Sequence, residues 1–189
     1  MALSSQVLKE LGESSLSIKN ALEAIPIFKQ VEDKHFCNSG LIFSYTLLGK
    51  NYNQIGLHKI GLDQFQKALK ILGYLDDYGL QSLRVNEGIA ECYTELGDQK
   101  KTFYYLDKCL EIAENQIKNP NYALSIKLNI LLKFSIVYRR SKNYKKSLEY
   151  LKQTGVILDS YTEDIIYEEK VLRAILDLSL IHISEPTRL

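Results

Sequence analysis

Ile89-Ala90-Glu91-Cys92-Tyr93-Thr94-Glu95-Leu96-Gly97-Asp98-Gln99-Lys100-Lys101-Thr102-Phe103-Tyr104-Tyr105-Leu106-Asp107-Lys108-Cys109 is the stretch that decides the fold. It places a small residue at Ala90, Tyr93 three later and Gly97 four after that. Thr102, Leu106 and Cys109 then alternate small, large and small. The same succession stands upstream at Gly49, Tyr52, Gly56, Gly61, Phe65 and Ala68, and downstream at Ser135, Tyr138, Lys142, Ser147, Leu151 and Thr154. The offset is 41 residues at all six places from the first set to the second, and 45 from the second to the third. A period of this length, held so constantly, is the signature of stacked supersecondary units.

The residue types explain themselves physically. Two helices joined by a tight turn approach closely only where side chains are small. Gly49, Ala90 and Ser135 supply one such position, Gly61, Thr102 and Ser147 a second, and Ala68, Cys109 and Thr154 a third. Tyr52, Tyr93 and Tyr138 are wedges between helices, and Phe65, Leu106 and Leu151 lie on the buried face of the following helix. Gly56 and Gly97 fall where one helix ends and the chain reverses, which predicts a left-handed residue after the helix C-terminus.

Small residue, Tyr, Gly, then small residues either side of an aromatic or Leu resembles the tetratricopeptide (TPR) pattern, over residues 36–158. The resemblance implies an all-α fold: a right-handed superhelix of antiparallel helix pairs, a TPR-like solenoid with about three full repeats and partial ones at both ends. The chain departs from the pattern at Lys142, which replaces the turn glycine. Its periods also exceed the family's usual length of about 34 residues, so long helices are expected, as in the TPR-like arrays of bacterial regulators. The expected organisation is one repeat domain over 1–177: a partial repeat at 1–35, full repeats at 36–78, 79–119 and 120–160, and a truncated one at 161–177. At the N-terminus Leu11-Gly12, Ser17, Ala21 and Ala24 echo a turn and second helix 44 residues before Gly56 and Ala68. Pro26 predicts a bend or break near Ile25, and Pro120 can open a helix.

Composition sets the limits. The chain has 189 residues, 46% hydrophobic and 25% charged, which is enough to bury a core. With 24 basic and 23 acidic side chains the net charge is +1, so no global field draws it to nucleic acid or a membrane surface. Met1 to Glu10 lacks a basic start and an apolar run, and no uncharged stretch reaches membrane-spanning length, which makes the cytoplasm the expected compartment. Cys37, Cys92 and Cys109 have no paired spacing and read as free thiols in apolar slots. Leu178 to Arg188 breaks the pattern and resembles the translation of a sequencing-library adapter. The natural gene is therefore expected to continue past Asp177, with Ile165–Leu176 as the first helix of an unfinished repeat and the tail contributing nothing specific to the fold. A genuine apolar tail packed on the last repeat is the alternative.

Catalytic chemistry finds no foothold, so no enzyme is expected. His35 and His58 lie near helix starts without metal-pair spacing, and they read as capping or solvent-facing residues. The glycines are scattered at turns and packing points rather than gathered in a phosphate loop. Glu87, Glu91 and Glu95 form one helical stripe, which is a solvated or groove face before it is an acid–base pair. Lys127, Lys133, Arg139, Arg140, Lys142, Lys145, Lys146 and Lys152 surround a single acid, Glu149. They read either as a solvated turn or as an edge that attracts an anionic peptide or domain. No cofactor or metal is expected.

The resemblance implies that the first helix of each repeat lines a concave surface. The partner-contact candidates are then Phe43, Thr46, Lys50, Asn53 and Gln54 from the first repeat, Arg84, Glu87, Glu91, Thr94 and Glu95 from the second, and Asn129, Leu132, Ile136, Arg139 and Arg140 from the third. Thr46, Lys50, Gly88 and Glu91 stand where chaperone-binding members clamp a terminal carboxylate, and they do not reproduce that clamp. The expected function is a scaffold for a protein or peptide, a fragment of a larger bacterial signalling or regulatory protein with an output domain elsewhere. The alternative is a peptide-sensing domain of a transcription regulator or phosphatase-type regulator. Neither nucleic acid nor membrane is expected as a partner of this domain.

Overall fold

A computed structural model describes residues 2–73, 79–159, 173, 176, 177 and 180. Among those residues the only regular structure is helix, and there is no strand. The elements are α1 (Ala2–Lys29), α2 (Lys34–Gln54), α3 (His58–Leu72), α4 (Gly79–Glu95), α5 (Gln99–Asn115), α6 (Pro120–Arg140) and α7 (Tyr144–Asp159). The chain forms two compact units, Met1–Ile112 and Ala113–Leu189.

The expected turns are present three times. Gly56, Gly97 and Lys142 have φ of 82°, 78° and 60°. At each, the following N–H reaches back to the wedge tyrosine: Leu57 N to Tyr52 O at 2.8 Å, Asp98 N to Tyr93 O at 3.0 Å, and Asn143 N to Tyr138 O at 2.9 Å. The left-handed residue itself donates to Asn53 O, Thr94 O and Arg139 O respectively. This pair of bonds is the Schellman arrangement, which satisfies carbonyls that a helix end leaves open. The next helix starts at once, capped by the Asp98 and Asn143 carboxyl and carboxamide oxygens, which accept from Lys101 N (3.1 Å) and Lys146 N (3.2 Å). Leu57 has no side chain for this role.

The small positions pack as their size requires. A Cβ on Gly61 would stand 2.8 Å from Gly49 O, and Thr102 and Ser147 are buried in the same register. Ala68, Cys109 and Thr154 are each fully buried. Phe65, 2% exposed, wedges its ring between Gly49 of α2 and Gly88 of α4, where any side chain would collide with it. It is the centre of a core with Ile42, Ala68, Leu72, Val85, Ile89 and Cys92. Burial pushes the Cys92 thiol up to about 12, helped by the Glu91 carboxylate, so this cysteine is an inert packing residue. All three cysteines are free.

The second and third hairpins share a device absent from the first. Tyr93 stacks on Tyr105 (5.8 Å between ring centroids) with Lys101 Nζ 4.9 Å from the Tyr93 ring centre. Tyr138 stacks on Tyr150 (5.5 Å) with Lys146 Nζ 5.2 Å from the Tyr138 ring. The first hairpin has Ile60 and Gln64 in the matching places. A cation above a stacked pair adds attraction to the ring faces and covers their apolar edges.

Two N-terminal expectations are overturned. α1 runs unbroken through Gly12, so no turn forms there. Leu8 stands where the wedge tyrosine would be, and a lone glycine costs a helix only about 1 kcal/mol. α1 also continues through Pro26 to Lys29. Proline removes one N–H bond, while packing on α2 holds the final turn, where Phe28 fills the space that a side chain on Gly40 would need; further up α1, Ser17 Oγ accepts from Asn51 Nδ2 at 3.0 Å. Pro120 does open α6, with Asn119 capping Tyr122 N at 3.0 Å.

In the second unit Leu132, Leu151 and Leu176 form a buried cluster with Leu180 packed against it. Leu180 lies in the tail segment expected to contribute nothing specific to the fold, and at this residue that expectation is corrected: its apolar side chain covers the cluster. The expected helix at 165–176, apart from Arg173 and Leu176, and the rest of the tail lie outside the described residues.

Candidate functional site

In the first unit α2 and α4 run side by side and leave a groove between them. Gln81 Nε2 donates to Ser39 Oγ (3.4 Å) at one level, and Phe65 touches the Gly49 and Gly88 positions at another, so each α4 residue stands beside the α2 residue about 40 positions earlier. The groove encloses about 340 Å³ and is lined by Ile42, Phe43, Thr46, Leu47, Lys50, Gln81 and Arg84. Its floor is apolar: Ile42 is buried, while Phe43 is 62% exposed. Lys50 and Arg84 are exposed, and neither makes an ion pair among the described residues. The Gln81 carboxamide oxygen is buried and accepts no hydrogen bond there. A volume of this size with an apolar floor and a few polar groups suits a ligand or a short piece of one.

Phe43, Thr46, Lys50 and Arg84, four of the residues singled out in the sequence, meet in this groove. Ile42, Leu47 and Gln81 complete it and were not foreseen. Counting one turn back from Arg84 would have reached Gln81, whereas Ile42 and Leu47 are apolar helix residues with no sequence signal that sets them apart from core. No protein-family model matches this chain, and a search of curated proteins returns no match. The site is thus described by its own chemistry.

Other sequence candidates stand elsewhere. Asn53 Oδ1 pairs with His58 Nδ1 at 2.6 Å across the α2–α3 turn, and Thr94 Oγ1 donates to Ala90 O (2.8 Å) beside Thr102 Oγ1 (3.4 Å). These two half-buried side chains bond within their own hairpins, because their register faces the following helix. Gln54 and Glu95 are exposed at helix ends, Glu91 is exposed and Glu87 half-buried. All three glutamates already interact with neighbouring groups. The acidic stripe does not line the groove, whose charged members are cationic.

In the second unit Leu132 is a correction. It is 7% exposed and packs on Leu151 and Leu176, so it belongs to the core. Thr46 and Glu87 occupy its register in the other hairpins, and the change from polar residue to leucine was the signal. Asn129, Ile136, Arg139 and Arg140 are exposed. Of the basic run, Lys127 pairs with Glu114 (3.1 Å) and Lys146 with the Tyr138 ring. Among the described residues there is no group of three His, Cys, Asp or Glu side chains able to hold a metal ion, and no helix long and apolar enough to cross a membrane.

Proposed function

We propose that the chain is a TPR-like solenoid whose work is to hold a protein or peptide segment, as a scaffold within a larger signalling or regulatory assembly. The observation that carries this reading is the α2–α4 groove, with an uncovered phenylalanine, an apolar floor and two cations that make no ion pair among the described residues. Aromatic side chains and arginine are enriched at protein contacts. The repeated Schellman turns support the solenoid part of the reading, since each repositions a helix pair in the same register.

A peptide-library selection on the intact chain, repeated with Phe43→Ala, tests this. Phe43 is largely exposed, so its truncation leaves helicity unchanged by circular dichroism. The expected outcome is a set of peptides that bind the parent chain and bind the variant at least about tenfold more weakly, as hot-spot anchors do. A selection that enriches no peptide, or peptides indifferent to Phe43, sinks the proposal.

A further inference from the structure

We infer that the α2–α4 groove reads an internal acidic–apolar–acidic stretch of an extended peptide, with the three side chains at alternate positions. This rests on the peptide-binding reading above and names the partner's chemistry. Arg84 of α4 stands level with Ile42 and Phe43, and Lys50 lies seven residues further along α2, two helical turns or about 10 Å. Among the described lining residues, Phe43, Thr46 and Leu47 of α2 lie between the two cations. Alternate residues of an extended chain share a face at about 6.6 Å spacing, so first and fifth positions span about 13 Å. The flexible lysine and arginine stems take up the difference. A central Leu or Phe then rests on Ile42, Phe43 and Leu47, and the flanking carboxylates reach Arg84 and Lys50.

Charge selects an acidic segment over a basic one: among the described residues the lining contains no acidic side chain, so a basic segment would meet like charge at both ends. A single terminal carboxylate would satisfy only one of two cations set two turns apart.

The test uses fluorescein-labelled pentapeptides with amidated C-termini, carrying Asp or Glu at positions one and five, Leu or Phe at three and Ser between, titrated by anisotropy against the intact chain. Binding is expected to weaken about tenfold with Arg84→Glu, similarly with Lys50→Glu, and to fall with added salt. Peptides with Asn and Gln replacing the acids should lose the same amount, and Lys-flanked peptides should bind the doubly reversed chain, which shows that it remains folded. Equal affinity for the acidic and amide peptides overturns the inference. So does binding that requires a free C-terminal carboxylate, or that survives both reversals. If library peptides of other patterns bind through Phe43 while these do not, the inference fails and the peptide-binding reading stands. If no peptide of any pattern binds, both fail.

Discussion

The turn at Gly97 and the turn at Lys142 have the same backbone and different residues. Both place a left-handed residue four after a wedge tyrosine, both return an N–H to that tyrosine's carbonyl, and both start the next helix from a capping Asp or Asn. Glycine enters the left-handed region freely, whereas a residue with a Cβ pays about 1–2 kcal/mol to stay there. Lys142 stays because what flanks it is intact: the stacked Tyr138 and Tyr150, Lys146 over the ring, and buried Ser135, Ser147 and Thr154. The turn is thus a property of the packed helix pair, and glycine makes it easier without being its cause.

The strongest way to break this comparison is to overpack the two crossings. Ala90 and Ser135 are 1% and 4% exposed in matching places, so Ala90→Leu and Ser135→Leu should each cost about 1–3 kcal/mol in denaturant melts. A neutral Ser135→Leu would mean that the third hairpin does not share the packing of the second.

A smaller effect with opposite signs comes from the turns themselves. Gly97→Ala should destabilise by about 1 kcal/mol, and Lys142→Gly should stabilise by up to a similar amount, offset by the greater freedom glycine gives the unfolded chain. Chemical denaturation of both variants, read beside the parent, decides it. Destabilisation by Lys142→Gly would show that the lysine side chain contributes something the turn geometry does not reveal.

The smallest difference is one of pH. The backbone N–H of Lys101, followed by the Lys101 ammonium, holds the Asp98 carboxyl below the usual aspartate range, and the Asp98 carboxylate in turn raises Lys101 above the usual lysine range. A lowered folded pKa means stability fully present above the ordinary aspartate pKa and lost as pH falls through the folded value. Asn143 caps the third hairpin without a titrating group. Asp98→Asn should therefore flatten the melting temperature in acid relative to the parent, while Asn143→Asp should make it more acid-sensitive. Identical acid profiles for Asp98→Asn and the parent would remove Asp98 from the account. Because Asp98 is solvent-exposed, the effect is small.

Hairpins were legible in the sequence because their causes are local and repeated. Tyr52, Tyr93 and Tyr138, with the small residues three before and nine after each, mark crossings and turns through sterics acting over a dozen residues, and the constant offsets multiplied that signal. Gly12 misled because one glycine imitates a turn when the wedge four residues earlier is missing. Four of the seven groove residues were legible too: Phe43, Thr46, Lys50 and Arg84 followed from the resemblance, which implies that the first helix of each repeat presents its outward face to a partner.

Contacts between helices far apart in sequence decided the rest. Gln81 became a groove residue only when α4 lay against α2, where its amide reaches Ser39 and its oxygen is left buried. Leu132 left the candidate surface because Leu151 and Leu176 cover it. Periodicity states which face of a helix is apolar or polar, but a side chain's availability depends on what packs over it, and that is settled by neighbours dozens of residues away.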